Sequence, residues 1–374
     1  MRIVLFANTD WYLYNFRKSF ALRLVDEGYD VLLVSPPGPY GPKLRQLGLR
    51  WSSLPMRRRG LNPISELVVL WRLWKLFKLE RPSIVHGFTV KCAIYGSLAA
   101  RLSGVPARVS AVTGMGYVFA SDDTQAVLLR PLVRGLFRAS LGGANARLIL
   151  QNSDDVAEFE RRNLAESSQI RVIPGSGVDL TRFGEQDHED RLTATLTVLL
   201  AARLLRDKGL AEYAEAARTL LGEGLEAEFL LAGEPDLGNP SAVSEATVRA
   251  WQEEGIIKWL GHVSDMPSLL SRVDVMVLPS YREGLPKSLI EAAACGIPLI
   301  TTDVPGCREV VTDEVDGLLI PAKDPLSLIS AIRRLHGDRD LARRLGAAAR
   351  AKVLREFDEK IIIEKTIAVY RELI

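Results

Sequence analysis

Two glutamates, Glu283 and Glu291, stand eight positions apart in a segment whose pattern could bind an anionic ligand rich in hydroxyl groups. Residues 274–280, which precede them, are apolar almost throughout, as in a strand buried on both faces of a parallel sheet. Residues 288–294 predict a helix, and Pro286 suits its first turn because an N–H group at that position would have no helical partner. The segment is therefore predicted to run strand, loop, helix.

In open α/β sheets, ligands bind in a crevice at the carboxyl ends of the strands. The N–H groups of residues 286–289 would point into that crevice, where anions bind readily. Glu283 would lie in the crevice, and Glu291, about one turn into the helix, could reach a ribose. The alternative is a helix with one glutamate at its start and one on its solvated face. The candidate ligand-binding residues here are Glu283, Gly284, Leu285, Pro286, Lys287, Ser288, Leu289 and Glu291.

Two cations follow an earlier apolar run and could hold a diphosphate. Residues 196–201 predict a strand, Arg203 and Lys208 come after it, and a helical pattern begins near Leu210. The planar fork of an arginine and the compact charge of a lysine both suit phosphate oxygens. A solvated basic turn is the alternative. Because both motifs occur in this order in one half of the chain, a shared site is favoured.

Strand-like runs alternate with helical stretches along the chain, which predicts parallel sheets covered by helices on both faces. The runs begin near Ile3, Val31, Ile84, Val109, Leu148 and Val172, then near Leu196, Phe229, Ile257, Val275, Leu299 and Leu318. A chain of 374 residues is too long for one ordinary core. We therefore expect domains at residues 1–175 and 196–357, joined by a linker at 176–195 that is rich in glycine and acidic residues.

The composition is that of a globular protein, with 47% hydrophobic and 25% charged residues. Three widely spaced cysteines indicate a reducing compartment rather than a disulfide framework. No apolar run approaches the ~20 residues that span a bilayer. Because the sequence lacks a P-loop motif and an H-E-x-x-H motif, we expect chemistry without a bound metal or cofactor, in which fixed cations stabilise the leaving group.

The two parts of the chain differ in charge. Residues 1–150 contain 21 Lys/Arg and 8 Asp/Glu, a balance of +13, and residues 151–374 contain 27 and 38, a balance of −11. Such asymmetry predicts that the basic part meets an anionic surface. No nucleic-acid-binding motif is present, so we expect no nucleic acid partner and favour an anionic membrane.

Two basic segments have the residues of a membrane-surface contact. The region Arg57–Lys78 contains Trp71 and Trp74 close to lysines at helical spacing, and the region Val127–Arg138 contains arginines four residues apart. Aromatic rings beside cations suit the level of the lipid headgroups. The alternative for the first region is an ordinary amphipathic helix packed on a sheet.

Several of these motifs together resemble a known family. The resemblance is carried by Arg203 with Lys208, Gly233-Glu234, Gly261-His262, residues 280–284 and Glu291-Ala292. These resemble the retaining, nucleotide-sugar-dependent glycosyltransferases of family 4, and the likeness covers essentially the whole chain. Residues 151–155 and 174–179 are similar to a bacterial subgroup that builds lipid-linked oligosaccharides, O-antigen and capsule repeats, and that includes HexNAc transferases acting on undecaprenyl-diphosphate sugars.

This resemblance implies the GT-B fold, in which two Rossmann-like, doubly wound parallel-sheet domains face a central cleft. It implies that the N-terminal domain binds the acceptor and the C-terminal domain the nucleotide sugar. The C-terminal helix, residues 358–374, would pack back onto the N-terminal domain. The protein is expected in the cytoplasm, lying peripherally on the inner face of the cytoplasmic membrane.

The same resemblance implies the roles of the donor-site residues. Glu283 would contact the sugar of a UDP-sugar donor, Glu291 the ribose, and Arg203 with Lys208 the diphosphate. We expect the uracil near the loop that follows residues 256–262. Candidate residues for that contact are Trp259 and Gly261.

The acceptor, expected to be a lipid-linked saccharide, should meet the loops after the N-terminal strands. Candidate residues are Asn8, Thr9 and Asp10 after the first strand, Thr89 and Lys91 after a later one, and Thr113 with Gly114 after the next. Lys91 could bind the acceptor diphosphate or be a plain surface lysine. No protein base is named, because in a same-face mechanism the leaving phosphate oxygen can take the acceptor proton.

Three functions remain open from the sequence. The first is a membrane-associated transferase that moves a HexNAc or hexose onto a polyprenyl-diphosphate glycan. The second is another GT-B enzyme, either one with a soluble acceptor or a sugar-nucleotide epimerase. The third is a non-catalytic sugar-nucleotide-binding protein at the membrane surface, which the presence of all four candidate charged residues disfavours.

Overall fold

The alternating pattern folds into two parallel sheets, each with apolar clusters on both faces. The computed structural model describes residues 1–57, 62–114, 124–185, 195–236 and 239–374, with side chains from Leu128 onward in the helix that begins at Thr124. The chain divides into two units, one of Met1–Ser176 with Lys360–Ile374 and one of Gly177–Glu359. The predicted doubly wound α/β class is confirmed.

The sheet of the first unit contains β1 (Arg2–Phe6), β2 (Asp30–Ser35), β3 (Arg50–Ser53), β4 (Ile84–Phe88), β5 (Ala107–Ala111), β6 (Ala146–Leu150) and β7 (Ile170–Val172). Their order is β3-β2-β1-β4-β5-β6-β7, all parallel. Along β1, Ile3 and Leu5 enter one apolar cluster while Val4 and Phe6 enter the other. Burial on both faces explains why this strand is apolar throughout. The sequence did not predict β3, because this edge strand is short and largely polar.

The helices of this part are α1 (Asp10–Tyr12), α2 (Lys18–Asp26), α3 (Tyr40–Gln46), α4 (Pro63–Glu80), α5 (Val90–Ser103), α6 (Thr124–Leu141) and α7 (Ser153–Arg161). A π-helical segment, Leu13–Arg17, joins α1 to α2. The helix α4 begins after Asn62, whose side chain accepts hydrogen bonds from the N–H groups of Ile64 and Ser65. Pro63 occupies the first turn, so α4 has the expected start of a helix.

The second unit contains β8 (Leu196–Ala201), β9 (Ala227–Ala232), β10 (Lys258–Gly261), β11 (Val275–Leu278), β12 (Leu299–Thr302) and β13 (Leu318–Ile320), in the order β10-β9-β8-β11-β12-β13. The helices that follow are α8 (Leu210–Gly222), α9 (Glu245–Glu253), α10 (Met266–Leu270), α11 (Lys287–Ala294), α12 (Cys307–Val310), α13 (Pro325–Gly337), α14 (Arg339–Glu356) and α15 (Glu359–Arg371). A short 3-10 helix, Arg206–Lys208, precedes α8.

The helix α15 packs with the first unit, although it comes last in the chain. Its Ile362, Ile367 and Tyr370 enter the apolar cluster that also holds Ile3 and Leu5. Just beyond the helix, Glu372 bonds to arginines of β6 and β7. Residues 186–194 of the predicted linker lie outside the described ranges.

Each sheet has a switch point, a pair of adjacent strands whose following connections lead in opposite directions along the sheet. In the first unit this point lies between β1 and β4, and in the second between β8 and β11. Ligands of open α/β sheets bind at the carboxyl ends of the strands at such points. The segments after β8 and β11 carry the predicted donor residues other than Trp259 and Gly261, which lie on β10. The segments after β1 and β4 carry most of the predicted acceptor residues.

Candidate functional site

The loops after β8 and β11 are in direct backbone contact at the second switch point. The N–H of Tyr281 donates to the carbonyl of Asp207 over 2.9 Å. Gly209 has a φ of +71°, and a Cβ built on it would lie 2.2 Å from the carbonyl oxygen of Pro279. A glycine is therefore required at 209 both by its backbone conformation and by the space around it. This contact fixes Lys208 relative to the loop that carries Glu283.

Lys208 and Glu283 form an ion pair at this point. The distance between Lys208 Nζ and Glu283 Oε1 is 2.5 Å, and the two side chains are only 12% and 13% exposed. The Oγ of Ser280, itself fully buried, donates to the same carboxylate oxygen over 2.6 Å. Charge-assisted hydrogen bonds in a shielded setting are the stronger ones, so the carboxylate is held in one orientation.

A third loop, the one after β12, contacts the backbone of Glu283. The N–H of Glu283 donates to the carbonyl of Pro305 over 3.2 Å. A Cβ on Gly306 would lie 2.6 Å from the carbonyl oxygen of Glu283, so these backbones are in close contact. Thr302 donates through its hydroxyl to the carbonyl of Ser280. The ends of β11 and β12 thus position the carboxylate together.

Glu291 lies on α11, near its beginning. Lys287 Nζ is 3.7 Å from Glu291 Oε1, and the glutamate side chain is 16% exposed. Burial raises the pKa of Glu291 above its ordinary value, while the cations of Lys287 and Arg182 act in the opposite direction. The N-cap of α11 is Pro286, which has no side-chain acceptor for the first N–H groups of the helix. The helix starts one residue before the sequence predicted.

Arg203 lies at the same end of β8, but its guanidinium has a different partner. Nη1 of Arg203 is 2.7 Å from Oδ2 of Asp236, and the arginine side chain is 52% exposed. The structure therefore brings Lys208 and Glu283 together and leaves Arg203 paired with the loop after β9. Asp236 is only 10% exposed, but the guanidinium of Arg203 is open to solvent on one side, from which another anion could reach it.

Trp259 and Gly261 lie in the strand β10, which pairs with β9. The indole Nε1 of Trp259 donates to the carbonyl of Gly233 over 2.9 Å, and the N–H of Gly233 donates to the carbonyl of Gly261 over 2.7 Å. A Cβ on Gly233 would lie 1.8 Å from the carbonyl oxygen of Ala202. The carboxyl ends of β8, β9 and β10 are therefore joined, with Trp259 half-buried at their edge.

The first acceptor loop, Asn8 to Asp10, is largely engaged with its own unit. The carboxylate of Asp10 is buried and accepts hydrogen bonds from the N–H groups of Tyr40 and Gly41 at the start of α3. The hydroxyl of Thr9 accepts from the N–H of Tyr12. Asn8 is half-buried. These contacts position α1 and α3, and the acceptor role of the loop stays a prediction.

The loop after β4 holds the next two candidates. Thr89 has a φ of +72° and a buried hydroxyl without a hydrogen-bond partner. Lys91 Nζ is 2.8 Å from Oε1 of Glu66 on α4. Lys91 is therefore not a plain surface lysine, since its side chain is 16% exposed and ion-paired. The backbone of Thr89 is strained, which is typical of functional positions.

The last two candidates, Thr113 and Gly114, follow β5. Thr113 lines a pocket in the first unit together with Arg17, His86 and Gln151. Gly114 has a φ of +121°. Of these pocket residues, the sequence singled out only Thr113 as a binding residue. Nothing in the helical periodicity indicates the π-helical segment that carries Arg17, and Ser280 lies in the family motif without a predicted role.

The described residues contain no candidate metal site. Across residues 1–57, 62–114, 124–185, 195–236 and 239–374, no three His, Cys, Asp or Glu side chains cluster as metal ligands would. The cations at the second switch point, Lys208 and Arg203, are of the types that bind phosphate oxygens in proteins.

Known protein families and individual proteins are similar to this chain over most of its length. The family model "Glycosyl transferase 4-like" matches residues 2–153, and the family model "Glycosyl transferases group 1" matches residues 195–338. The chain is 31% identical to the N,N'-diacetylbacillosaminyl-diphospho-undecaprenol alpha-1,3-N-acetylgalactosaminyltransferase of Campylobacter jejuni, over 100% of this chain and 99% of the relative. It is 29% identical to the UDP-Gal:alpha-D-GlcNAc-diphosphoundecaprenol alpha-1,3-galactosyltransferase of Escherichia coli, over 94% and 91%.

Among solved structures, the sucrose-phosphate synthase of Thermosynechococcus elongatus matches with a TM-score of 0.81 at 21% identity, covering 100% of this chain and 99% of that one. This likeness shows the fold, and the full-length relative from Campylobacter jejuni shows the family. The predicted membership is confirmed: the chain belongs to the family 4 glycosyltransferases, carries the group 1 domain in its second half, and is an enzyme of the GT-B fold that transfers a sugar.

Proposed function

We propose that the chain transfers a HexNAc or hexose from a UDP-sugar to a saccharide linked to a polyprenyl diphosphate, in the assembly of a bacterial surface or lipid-linked glycan. The observation that carries the proposal is the Lys208–Glu283 pair at the second switch point. The names of both relatives give undecaprenyl-diphosphate-linked sugars as substrates, and the one from Escherichia coli has a UDP-galactose donor. These support the same donor and acceptor classes here.

The donor diphosphate binds to the cations after β8. Lys208 and Arg203 contact its oxygens, and the first N–H groups of α11 add the positive end of a helix. As the bond between the anomeric carbon and the β-phosphate oxygen breaks, negative charge grows on that phosphate. Donors that are already fixed in place stabilise this charge without reorganising. Arg203 exchanges Asp236 for the phosphate when the UDP-sugar binds, before this step.

Glu283 binds the sugar. When the donor enters, Lys208 turns to the diphosphate and the Glu283 carboxylate accepts hydrogen bonds from sugar hydroxyls. Ser280 keeps the carboxylate in position during this exchange. A ligand with a diphosphate but no sugar leaves the carboxylate short of partners in a shielded site, which is unfavourable. The site therefore selects the sugar and the diphosphate as one unit. Glu291 binds the ribose, and Trp259 with Gly261 lies near the uracil.

The acceptor binds to the first unit, and its hydroxyl forms the new bond to the anomeric carbon. Its proton passes to the leaving β-phosphate oxygen, so no protein base is needed and attack occurs on the same face. Retention follows from this geometry, as is typical of the family. Among the acceptor candidates, Thr89 and Thr113 follow the carboxyl ends of β4 and β5. Lys91 exchanges Glu66 for the acceptor diphosphate.

The helix α4 attaches the enzyme to the inner face of the cytoplasmic membrane. One face of α4 packs into the unit through Val69, Leu73 and Phe77. The other leaves Ile64, Leu67 and Trp71 exposed by 74%, 65% and 56%. An exposed apolar face of this kind is unusual unless it contacts a membrane or a partner. Lys75 lies 5.5 Å from the ring of Trp71, as suits the level of lipid phosphates.

The helix α6 adds a second attachment surface. Its Leu128 and Leu132 are 74% and 60% exposed, beside Arg130 and Arg134. Arg138, by contrast, donates to the carbonyl of Asn163 and supports the unit itself. Arg58 and Arg59 of the predicted Arg57–Lys78 surface lie outside the described residues. In the described part of the chain, no helix is both long enough and apolar enough to cross a membrane.

The test is UDP release from a panel of UDP-sugars, with and without a detergent-solubilised polyprenyl-diphosphate saccharide. We expect one or two donors to support release that depends on the lipid acceptor, with the labelled sugar recovered on the lipid. Release that is equally fast with a soluble saccharide would indicate the soluble-acceptor alternative. No release with any UDP-sugar would contradict the proposal.

A further inference from the structure

A small pocket lies at the carboxyl ends of β4 to β7 in the first unit, and its residues are separate from those of the donor site. Its polar lining includes Arg17, His86, Thr113, Gln151 and Thr366, and the ring of Phe88 forms part of its wall. Parallel sheets bind ligands at this edge. The function proposed above gives Arg17, His86 and Gln151 no role.

The π-helical segment brings the side chain of Arg17 into this pocket. Arg17 is the last residue of that segment and is only 6% exposed. Its Nη2 donates to the hydroxyl of Tyr12 over 3.0 Å, and its Cζ lies 4.4 Å from the centre of the Phe88 ring. Its Nε is buried and has no hydrogen-bond partner. Single π-helical turns occur often at functional sites, since they redirect one side chain of a helix.

His86 presents a second nitrogen without a partner. Its Nδ1 is 2.8 Å from the hydroxyl of Tyr370, and its Nε2 is buried and has no hydrogen bond. Burial lowers the pKa of His86 well below its ordinary value, and the charge of Arg17 acts in the same direction. The imidazole is therefore neutral. When the Tyr370 hydroxyl donates to Nδ1, the Nε2 of His86 carries the proton and is a donor toward the pocket.

The described residues supply no charge that balances Arg17 in this pocket. The lining residues that the structure describes include no Asp or Glu. Among the residues that the structure describes, no carboxylate forms an ion pair with Arg17. A buried cation without a counter-ion is costly, and nearly all such groups in proteins are paired. An anionic ligand would supply the missing charge and the missing acceptors at once.

We propose that this Arg17 pocket, whose volume of about 10 Å³ admits a group the size of one oxygen atom, receives one oxygen of an oxyanion of the acceptor substrate, with Arg17 as its charged anchor and His86, Thr113 and Gln151 as hydrogen-bonding partners. The assignment of the oxyanion to the acceptor rests on the function proposed above. Phosphate of the lipid diphosphate and carboxylate of an acidic saccharide share this chemistry. Arg17 is accordingly a specificity-determining residue on the acceptor side.

The experiment is a calorimetric titration of the enzyme saturated with UDP, so that the donor site is filled. Inorganic pyrophosphate is the phosphate probe and glucuronate is the carboxylate probe. We expect one of the two to bind, and the Arg17→Met variant to bind it at least about tenfold more weakly, since a hydrogen bond to a charged group is lost. The anion that binds identifies the source.

The matched control is Lys18→Gln, which removes one positive charge from the next residue outside the pocket. It should leave anion binding unchanged. Circular dichroism and the thermal midpoint show whether Arg17→Met folds. If Arg17→Met does not fold, the Arg17→Lys variant is used in its place. Lysine keeps the charge but lacks the planar fork, so binding should still weaken. Absence of binding by both anions, or equal binding by wild type and Arg17→Lys, would overturn the proposal.

Turnover separates this inference from the proposed function. We expect Arg17→Met to raise the KM for the lipid-linked acceptor about tenfold while the KM for the UDP-sugar stays unchanged. If no UDP-sugar supports transfer, the proposed function fails, yet the titration still decides whether the pocket binds an oxyanion. If transfer occurs and neither anion binds, only the pocket assignment fails.

Discussion

Glu283 is held by two donors of different kinds, the ammonium of Lys208 and the hydroxyl of Ser280. Before the UDP-sugar binds, the ammonium of Lys208 and the carboxylate of Glu283 neutralise each other, so neither charge is left without a partner in a shielded site. In the proposed mechanism, the UDP-sugar replaces one partner of each, while Ser280 keeps its bond to Glu283. We therefore propose that Ser280 positions the carboxylate.

Replacement of Ser280 by alanine should lower kcat by about tenfold or more with a smaller change in the KM for the UDP-sugar, because Glu283 loses a charge-assisted hydrogen bond. Ser280→Thr, which keeps the hydroxyl, should restore part of kcat. Steady-state kinetics measure both. The control is Ser268→Ala, which removes a serine bonded to Asp265 on the surface of the same unit. A loss confined to KM, or no rescue by threonine, would contradict the positioning role.

At the scale of elements, the donor site depends on glycines that let loops approach each other. Gly209 contacts Pro279 at the second switch point, and Gly306 contacts Glu283 from the loop after β12. Because these contacts join backbone to backbone, no side-chain movement can make room for a Cβ. The loops therefore act as one rigid support for the ion pair.

Gly209→Ala should weaken UDP-sugar binding about tenfold and destabilise the second unit by about 1–3 kcal/mol, because the site requires both a left-handed backbone and empty space. Gly224 is the matched control, since its φ is +88° but a Cβ added there would have nothing within 4 Å. Gly224→Ala should be destabilising by about 1 kcal/mol with unchanged affinity. Titration calorimetry and thermal unfolding distinguish the two. Equal effects at both glycines would contradict the rigid-support role of Gly209.

The C-terminal helix offers a pH-dependent test. Hydrogen bonding to Arg171, with a further bond to Arg147, lowers the pKa of Glu372 below its ordinary value of 4.5. A lowered pKa in the folded state contributes stability above pH 4.5, and this contribution is lost as the pH falls through the folded-state pKa. Glu372→Gln should therefore lower the thermal midpoint at pH 7, by the equivalent of about 1 kcal/mol, and the difference should shrink below pH 4.5.

The control for this change is Glu364→Gln, on the same end of the chain. Glu364 pairs with Arg23, and both side chains are close to half exposed. An exposed pair contributes between nothing and about 1 kcal/mol, so the midpoint at pH 7 should change less than it does for Glu372→Gln. A Glu372→Gln effect that stays constant from pH 7 to pH 4 would mean that the carboxylate charge is not what anchors the helix.

For the molecule as a whole, the separation of charge parallels the proposed separation of substrates. Arg17 and the helix α4 lie in the basic part, residues 1–150, while Lys208 and Glu283 lie in the acidic part, residues 151–374. An anionic membrane would attract the part that we propose to bind the lipid-linked acceptor. In the same proposal, Lys208 and Arg203 balance the charge of the UDP-sugar locally.

The double variant Leu67→Gln with Trp71→Gln should weaken partition onto anionic vesicles by about tenfold or more, because two exposed apolar side chains no longer enter the interface. UDP binding should be unchanged. The control is Leu326→Gln, since Leu326 is 73% exposed but lies on the second unit. Vesicle sedimentation measures the partition. Equal loss for the control, or none for the double variant, would contradict membrane attachment through α4.

The sequence predicts the fold and the donor loops better than the acceptor side. Apolar strands followed by charged loops are local patterns, so the positions of Lys208 and Glu283 could be expected from their order along the chain. Long-range packing decides the rest. Asp10 caps α3, which lies some thirty residues away in sequence, and the pairing of Lys91 with Glu66 depends on how α4 meets α5. The polar edge strand β3 lacks the apolar run that identifies a strand.

The central claim is that the second switch point binds a sugar through Glu283 and a diphosphate through Lys208. Calorimetric titration of wild type, Lys208→Gln and Glu283→Gln with UDP and with the preferred UDP-sugar tests it most directly. We expect Lys208→Gln to weaken the binding of both ligands. We expect Glu283→Gln to bind UDP at least as tightly as wild type while losing most of the extra affinity that the sugar provides. Lys258→Gln, from an exposed pair with Glu228, should change neither. If Glu283→Gln binds the UDP-sugar as tightly as wild type, or Lys208→Gln binds UDP unchanged, the claim is wrong.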